Sequence, residues 1–257
     1  MTAPLAGRSI VVTRPLAQAG ALADAIRAAG GTPFVFPLLL IDPASDPAPL
    51  RAALARLADY RLAVFISPNA VAFSVPAILA QGPWPAGLIA AAVGQGTVRA
   101  LAAQGVANAI APTERFDSEA LLELPELQRA SVAGQRVAIF RGDGGRELLA
   151  DTLRERGATV DCITCYHRSA PDSAAPLLAQ WERGIDAFTV SSSEGLRHLV
   201  DLLDAPSRER LATTPLFVPH ARIAENARAM GLDAVVLTAA ADAGIIAGLC
   251  TYNWRQP

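Results

Sequence analysis

The chain has 257 residues, 52% of them apolar, and a formal charge of −2 from 22 basic and 24 acidic side chains. That suffices for one large domain or two small ones, and it offers no general basic field for nucleic acid. No lysine occurs, so all 22 basic residues are Arg, which excludes Schiff-base, pyridoxal-phosphate and P-loop lysines.

Met1 to Arg8 carries no signal-peptide pattern and leads straight into an apolar run, residues 9–13. Residues 17–29 have helical spacing (Leu22, Ile26) and stop at Gly30-Gly31. Residues 32–42 read as a long extended segment holding Pro33 and Pro37. Residues 46–58 read as helix, 62–67 as a buried strand, and 69–79 as a helix bent or divided at Pro76. A strand at 88–93, a helix at 96–104 and a short helix at 118–127 follow.

The order then returns. A strand at 136–140, a helix at 146–156 closed by Gly157, and an extended run at 160–168 match the opening. Helix 174–183, strand 187–191, helix 194–203, strand 216–218, helix 222–230, strand 234–237 and helix 242–250 complete the pattern. Arg14 and Arg141, Leu22 and Leu149, and Gly30 and Gly157 are each 127 residues apart. A period so long is not a solenoid repeat, which recurs about every 20–50 residues. It predicts two similar α/β halves, with parallel sheets flanked by helices and a cleft between them.

No apolar stretch of about 18 residues runs unbroken, which argues against a membrane span. Three cysteines in a chain without an export pattern predict a reduced, cytoplasmic protein.

Ligands of such sheets gather where strands turn into helices. The turns here are Thr13-Arg14-Pro15, Ser67-Pro68-Asn69, Gly94-Gln95-Gly96-Thr97, Arg141 to Gly145, Ser191 to Glu194, and Val218 to Arg222. Each presents N–H groups at a helix start, which attract anions. Each is also what an ordinary helix cap needs, and Ser191 with Glu194 has capping-box spacing. Six such turns at matching points of two copies, with Arg14, Arg141 and Arg222 at three of them, favour a polyanion site.

Other signals point to little chemistry. Cys162-Ile-Thr-Cys165 has redox or zinc spacing, but in a strand side chains three apart face opposite sides. His167, His198 and His220 lack zinc-site spacing. There is no Walker loop, no G-x-G-x-x-G after the first strand and no G-x-S-x-G. Tyr166 lies in the extended run of the second copy, where the first copy has Leu39. A phenol can donate a proton near neutral pH, and a half-buried strand aromatic is an equally ordinary role for it.

The ordered set Val12-Thr-Arg-Pro15, Ser67-Pro-Asn-Ala-Val71, Val93-Gly-Gln-Gly-Thr97, the Gly142 turn, Tyr166-His-Arg168, Thr189-Val-Ser-Ser192 and Pro219-His-Ala-Arg-Ile-Ala-Glu225 resembles the uroporphyrinogen-III synthase family, the last segment its proteobacterial branch. The resemblance runs from Ile10 to Leu249. It implies two interleaved α/β domains, residues 1–35 plus 170–257 and residues 43–161. A two-stranded extended linker, 36–42 and 162–169, would act as hinge.

The implied reaction is cyclisation of hydroxymethylbilane, a linear tetrapyrrole with eight carboxylates, with inversion of ring D and loss of water, without metal or organic cofactor. The resemblance implies Tyr166 as the catalytic acid. It implies substrate contacts from Thr13, Arg14, Ser67, Asn69, Gly94, Thr97, Arg141, Gly142, Ser191, Ser192, His220, Arg222 and Ile223. Many family members carry Gly-Pro-x-Thr-Ala where this chain has Pro219 to Ala224, so Ile223 can contact substrate only through its backbone.

A monomer is implied, with transient contact to the enzyme that makes hydroxymethylbilane, and no nucleic-acid or membrane partner. Two other readings stay open: a non-catalytic two-lobed tetrapyrrole- or anion-binding or regulatory protein of the same fold, and a nucleotide-sugar enzyme, which would want a D-x-D that this chain lacks.

Overall fold

The computed structural model describes residues 3–144 and 147–254. β1 (Ser9–Val12) leads to α1 (Leu16–Ala28), β2 (Thr32–Val35), β3 (Leu40–Pro43), α2 (Ala48–Leu54), β4 (Tyr60–Phe65), α3 (Pro68–Leu79), β5 (Ile89–Ala92) and α4 (Gln95–Ala103). Next come α5 (Ser118–Leu122), α6 (Arg129–Val132), β6 (Arg136–Gly142), α7 (Leu148–Glu155) and β7 (Thr159–Ser169). α8 (Ala175–Arg183), β8 (Ala187–Thr189), α9 (Ser193–Leu202), α10 (Ala205–Thr213), β9 (Leu216–Val218), α11 (Ala221–Ala229), β10 (Val235–Leu237) and α12 (Ala241–Thr251) follow. The expected start of the helix at 146–156, Arg146, and the last residue of the expected turn before it, Gly145, lie outside the described residues.

The chain divides into two compact units, one ending at Leu40 and resuming at Ser169, the other Ile41–Arg168. The first unit holds a sheet in the order β10-β9-β8-β1-β2, and its neighbouring strands are parallel. The second holds β3-β7-β6-β4-β5, in which β7, β6, β4 and β5 run parallel. Parallel sheets need apolar cover on both faces, and successive side chains alternate between them. In the first unit Val11, Phe188, Leu216 and Val218 pack on one side, while Ile10, Val12, Ala187 and Phe217 pack on the other. In the second, Ala63, Phe65, Ala138 and Phe140 face one core, and Leu62, Val64, Val137 and Ile139 the other.

The repeat extends to hydrogen bonds. Gly30 and Gly157 follow α1 and α7 with φ of 87° and 91°. The residue after each bonds back to the same point of its helix, Gly31 N to Ile26 O at 2.9 Å and Ala158 N to Leu153 O at 3.0 Å. Glycine tolerates that left-handed conformation and so ends both helices alike.

Several elements differ from expectation. The extended segment 32–42 is two strands, β2 in the first unit's sheet and β3 in the second's. The helix expected at 46–58 is α2 followed by a separate 3-10 turn at Leu57–Asp59. α3 is one continuous helix despite Pro76. α10 was not expected; Asp204 caps it, accepting from Ser207 N at 3.0 Å. The stretch 162–169 is the second half of β7, paired with β6 as far as Gly142 and Tyr166.

A polar cluster ties the strand starts of the second unit. Asp161 Oδ2 accepts from Tyr60 Oη at 2.7 Å, Arg136 Nη2 at 2.9 Å and Arg56 Nη2 at 3.2 Å. Burial alone would raise the carboxyl's pKa, but these hydrogen bonds and the two guanidinium charges outweigh it and hold it below the usual range. A depressed carboxyl contributes stability above its unfolded value of about 3.9, lost as pH falls through the folded value. Asp161→Ala is therefore expected to cost about 1–2 kcal/mol at pH 7 after solvent screening. The gap in urea midpoint between the two proteins should close as pH drops below about 4.

Candidate active site

In the second unit the register slips between Arg141 and Gly142, so that Gly142 pairs with Tyr166. Asp143 N donates to Tyr166 O at 3.0 Å, and the Asp143 carboxylate accepts from Arg168 N at 3.1 Å. These bonds fix the backbone on both sides of the tyrosine. Its ring is 3% exposed and stacks on Phe73 of α3, with centroids 5.9 Å apart. The phenol oxygen lies 3.0 Å from Ser67 Oγ. Ser67 is the N-cap of α3, and its Oγ also accepts from Ala70 N at 3.1 Å.

Gly142 leaves the room the ring occupies. A Cβ there would lie 2.7 Å from Tyr166 Cε2 and 3.1 Å from its oxygen. Phe73 stacks on the same ring, so the ring has no free way to yield. Gly142→Ala is expected to displace the phenol from Ser67 and, as overpacking of a filled site, to cost about 1–3 kcal/mol of stability. Urea unfolding of the purified variant checks this.

The other expected residues of this unit sit at helix starts. Asn69 is half-buried in the first turn of α3. Gly94 is the N-cap of α4, and its carbonyl accepts from Thr97 N at 3.0 Å; the Thr97 side chain is buried. Arg141 is not a free cation. Its Nη1 is 2.8 Å from Glu147 Oε1, and its side chain is 13% exposed. Burial disfavours that charge, but the Glu147 hydrogen bond and carboxylate more than offset this, so its pKa is raised. Arg141 also lines a cavity of about 210 Å³ with Ser118, Ile139 and Leu149.

In the first unit, five expected residues surround one cavity of about 550 Å³: Ser191, Ser192, His220, Arg222 and Ile223, with Ser193 and Glu194. The cap of α9 is Ser192, not Ser191 as the capping-box spacing suggested. Ser192 Oγ accepts from Gly195 N at 2.9 Å. β8 itself ends at Thr189, two residues short of the expected strand end at 191. Ile223 is buried by its side chain, and its N–H donates to His220 O at 3.0 Å. His220 and Arg222 are exposed at the start of α11.

Thr13 and Arg14 are occupied differently. Thr13 Oγ1 donates to Thr189 O at 2.7 Å, while Thr189 Oγ1 donates to Val11 O at 3.1 Å, a reciprocal clasp of β1 and β8. Arg14 Nη1 pairs with Asp242 Oδ1 of α12 at 2.5 Å.

The two strand cysteines lie on opposite faces of β7 and are not bonded to each other. Cys162 packs with one core of the unit and Cys165 with the other. Burial pushes the Cys165 thiol up to about 12, which keeps it protonated and inert.

A family model described as uroporphyrinogen-III synthase HemD matches residues 20–246. The chain belongs to the uroporphyrinogen-III synthase family. It is 37% identical over 227 residues to the uroporphyrinogen-III synthase of Salmonella typhimurium, covering 87% of this chain and 92% of that protein. The Escherichia coli uroporphyrinogen-III synthase matches with the same identity and coverage. A crystal structure of mutant uroporphyrinogen III synthase from Thermus thermophilus covers 94% of this chain and 97% of its own, with a TM-score of 0.56 at 19% identity, a likeness of fold.

As a uroporphyrinogen-III synthase the chain is an enzyme of tetrapyrrole synthesis, and its α/β fold with parallel sheets flanked by helices is the fold class that the resemblance implied. Among the described residues no helix is long and apolar enough to cross a membrane. Several of this synthase's site neighbours escaped the sequence reading. Asp242 and Glu147, the partners of Arg14 and Arg141, are acidic residues near the starts of α12 and α7, a position that helix dipoles favour anyway. Phe73 sits six residues past Ser67, where its spacing reads only as helix core. Ser193 accepts from Asn226 Nδ2 at 2.9 Å, a pairing between α9 and α11 that no local pattern announces.

Proposed function

We propose that this chain cyclises hydroxymethylbilane to uroporphyrinogen III, with Tyr166 as the acid that helps the first step. What carries this reading is the 37% identity over most of the chain to relatives named for that product. The reaction is a cyclising loss of water, a hydro-lyase reaction. Hydroxide leaves the hydroxymethyl carbon of ring A, giving an azafulvene. The substituted carbon of ring D attacks that carbon and forms a spiro-pyrrolenine. The bond joining ring D to the chain then breaks and re-forms at the free carbon on the other side of the ring D nitrogen, which gives up its proton as the pyrrole aromatises. That proton balances the one taken by the departing hydroxide.

Left alone, the bilane closes without inversion to the type I isomer. The protein's main work is therefore orientation, holding the chain so that the wrong carbon does not reach. A positioned acid adds about 10²–10⁴-fold. The substrate carboxylates fall to N–H groups at helix starts, those of α9 and α11 around the 550 Å³ cavity among them, aided by Arg222. The enzyme works in the cytoplasm as a monomer, without a cofactor, on bilane received from the enzyme that makes it.

The test is to give the purified protein fresh hydroxymethylbilane and separate the uroporphyrinogen isomers. Type III product is expected, and type I alone would refute the assignment.

A further inference from the structure

We propose that Ser67 is the residue that hands the proton to the leaving hydroxyl, and that Tyr166 stands behind it as the proton's source. This rests on the reading of Tyr166 as the acid. The starting observation is burial. Tyr166 is 3% exposed, between Phe73 and the space that Gly142 leaves empty, whereas Ser67 is only half-buried. The phenol is thus the less accessible partner of the pair.

Hydrogen-bond bookkeeping fixes the direction between them. A serine hydroxyl has one proton and two acceptor sites. One acceptor site of Ser67 is taken by Ala70 N at 3.1 Å. Among the described residues, Ser67 Oγ is the one group hydrogen-bonded to Tyr166 Oη, at 3.0 Å. A buried phenol proton left unpaired is costly, so Tyr166 donates and Ser67 accepts. That fills the second acceptor site of Ser67 and leaves its own proton unclaimed.

The relay then reads in one direction. The ring A carbon–oxygen bond breaks, and the Ser67 proton passes to the departing oxygen, which leaves as water. The Tyr166 proton moves to Ser67 Oγ. At the end Ser67 passes its proton back to the phenolate and takes one from the ring D carbon that aromatises, so the relay is reset and no outside acid is needed. The Ala70 N–H at the start of α3 stays on Ser67 Oγ throughout and stabilises the oxygen as it gives up its proton.

Single-turnover formation of type III product is measured for Ser67→Gly, Ser67→Thr, Tyr166→Phe and the double variant Ser67→Gly/Tyr166→Phe. Glycine is tolerated at an N-cap, so folding survives, while threonine restores the hydroxyl. Ser67→Gly is expected to lose about 10²-fold, Tyr166→Phe a similar factor, and the double variant no more than the worse single one. Ser67→Thr should recover most of the rate.

A proton inventory in mixed light and heavy water separates chemistry from mere capping. The wild-type rate should curve with deuterium fraction, two protons being in flight, and Tyr166→Phe should give a straight line. Full rate in folded Ser67→Gly, with Tyr166→Phe slow, overturns the relay and leaves the acid assignment standing. A straight wild-type inventory overturns it too. Full rate in Tyr166→Phe removes the acid itself and takes the relay with it.

Discussion

Tyr166→Phe is expected to lower the rate of type III formation by about 10²-fold or more while the product that does form remains largely type III. The substitution removes one oxygen and leaves the ring stacked on Phe73 beside Gly142. Shape control of the bilane therefore survives, and what is lost is help for the departing hydroxide. KM should change little, because the missing proton matters when the carbon–oxygen bond breaks. Isomer separation on the purified variant checks both points, with the spontaneous type I background measured in parallel. A variant that turned over at the wild-type rate would take the acid role from Tyr166. A variant that made mostly type I would mean that the hydroxyl directs folding of the substrate rather than departure of its hydroxide.

Phe140→Ala is expected to destabilise the protein by about 3–5 kcal/mol, well beyond the loss of Asp161. Phe140 is fully buried on β6, the central strand of the second unit's sheet. Its ring lies 4.9 Å from that of Phe65 on β4, nearly parallel at 8°. Truncation leaves a cavity where rigid neighbours cannot collapse, and it forfeits the aromatic pair, itself about 0.5–1.5 kcal/mol. Against a total of about 5–15 kcal/mol the loss is large. Urea unfolding followed by Trp84, which packs against the same core, should show a lower midpoint, and Phe140→Leu should recover most of it. Equal midpoints for wild type and Phe140→Ala would mean that this core is loosely packed.

The sequence was most legible where one physical rule acts locally. Gly30 and Gly157 stop their helices because few other residues take that backbone angle, and their spacing exposed the duplication. Ser67 and Gly94 mark helix starts because strand ends and helix caps leave short-range signatures. Legibility failed by one residue in the Ser191-Ser192-Ser193 run, where three consecutive hydroxyls can each serve as a cap and local spacing does not choose among them. It failed wholly for contacts made by folding. The phenol of Tyr166 and the hydroxyl of Ser67 are 99 positions apart, and Arg14 meets Asp242 from the far end of the chain. Those pairs depend on the order of strands within each sheet, which periodicity does not encode.

Arg14 holds Asp242 at 2.5 Å and Arg141 holds Glu147 at 2.8 Å. Each guanidinium is thus neutralised within the fold, so these two strand-end turns add less positive field to the surface than their arginines alone would give.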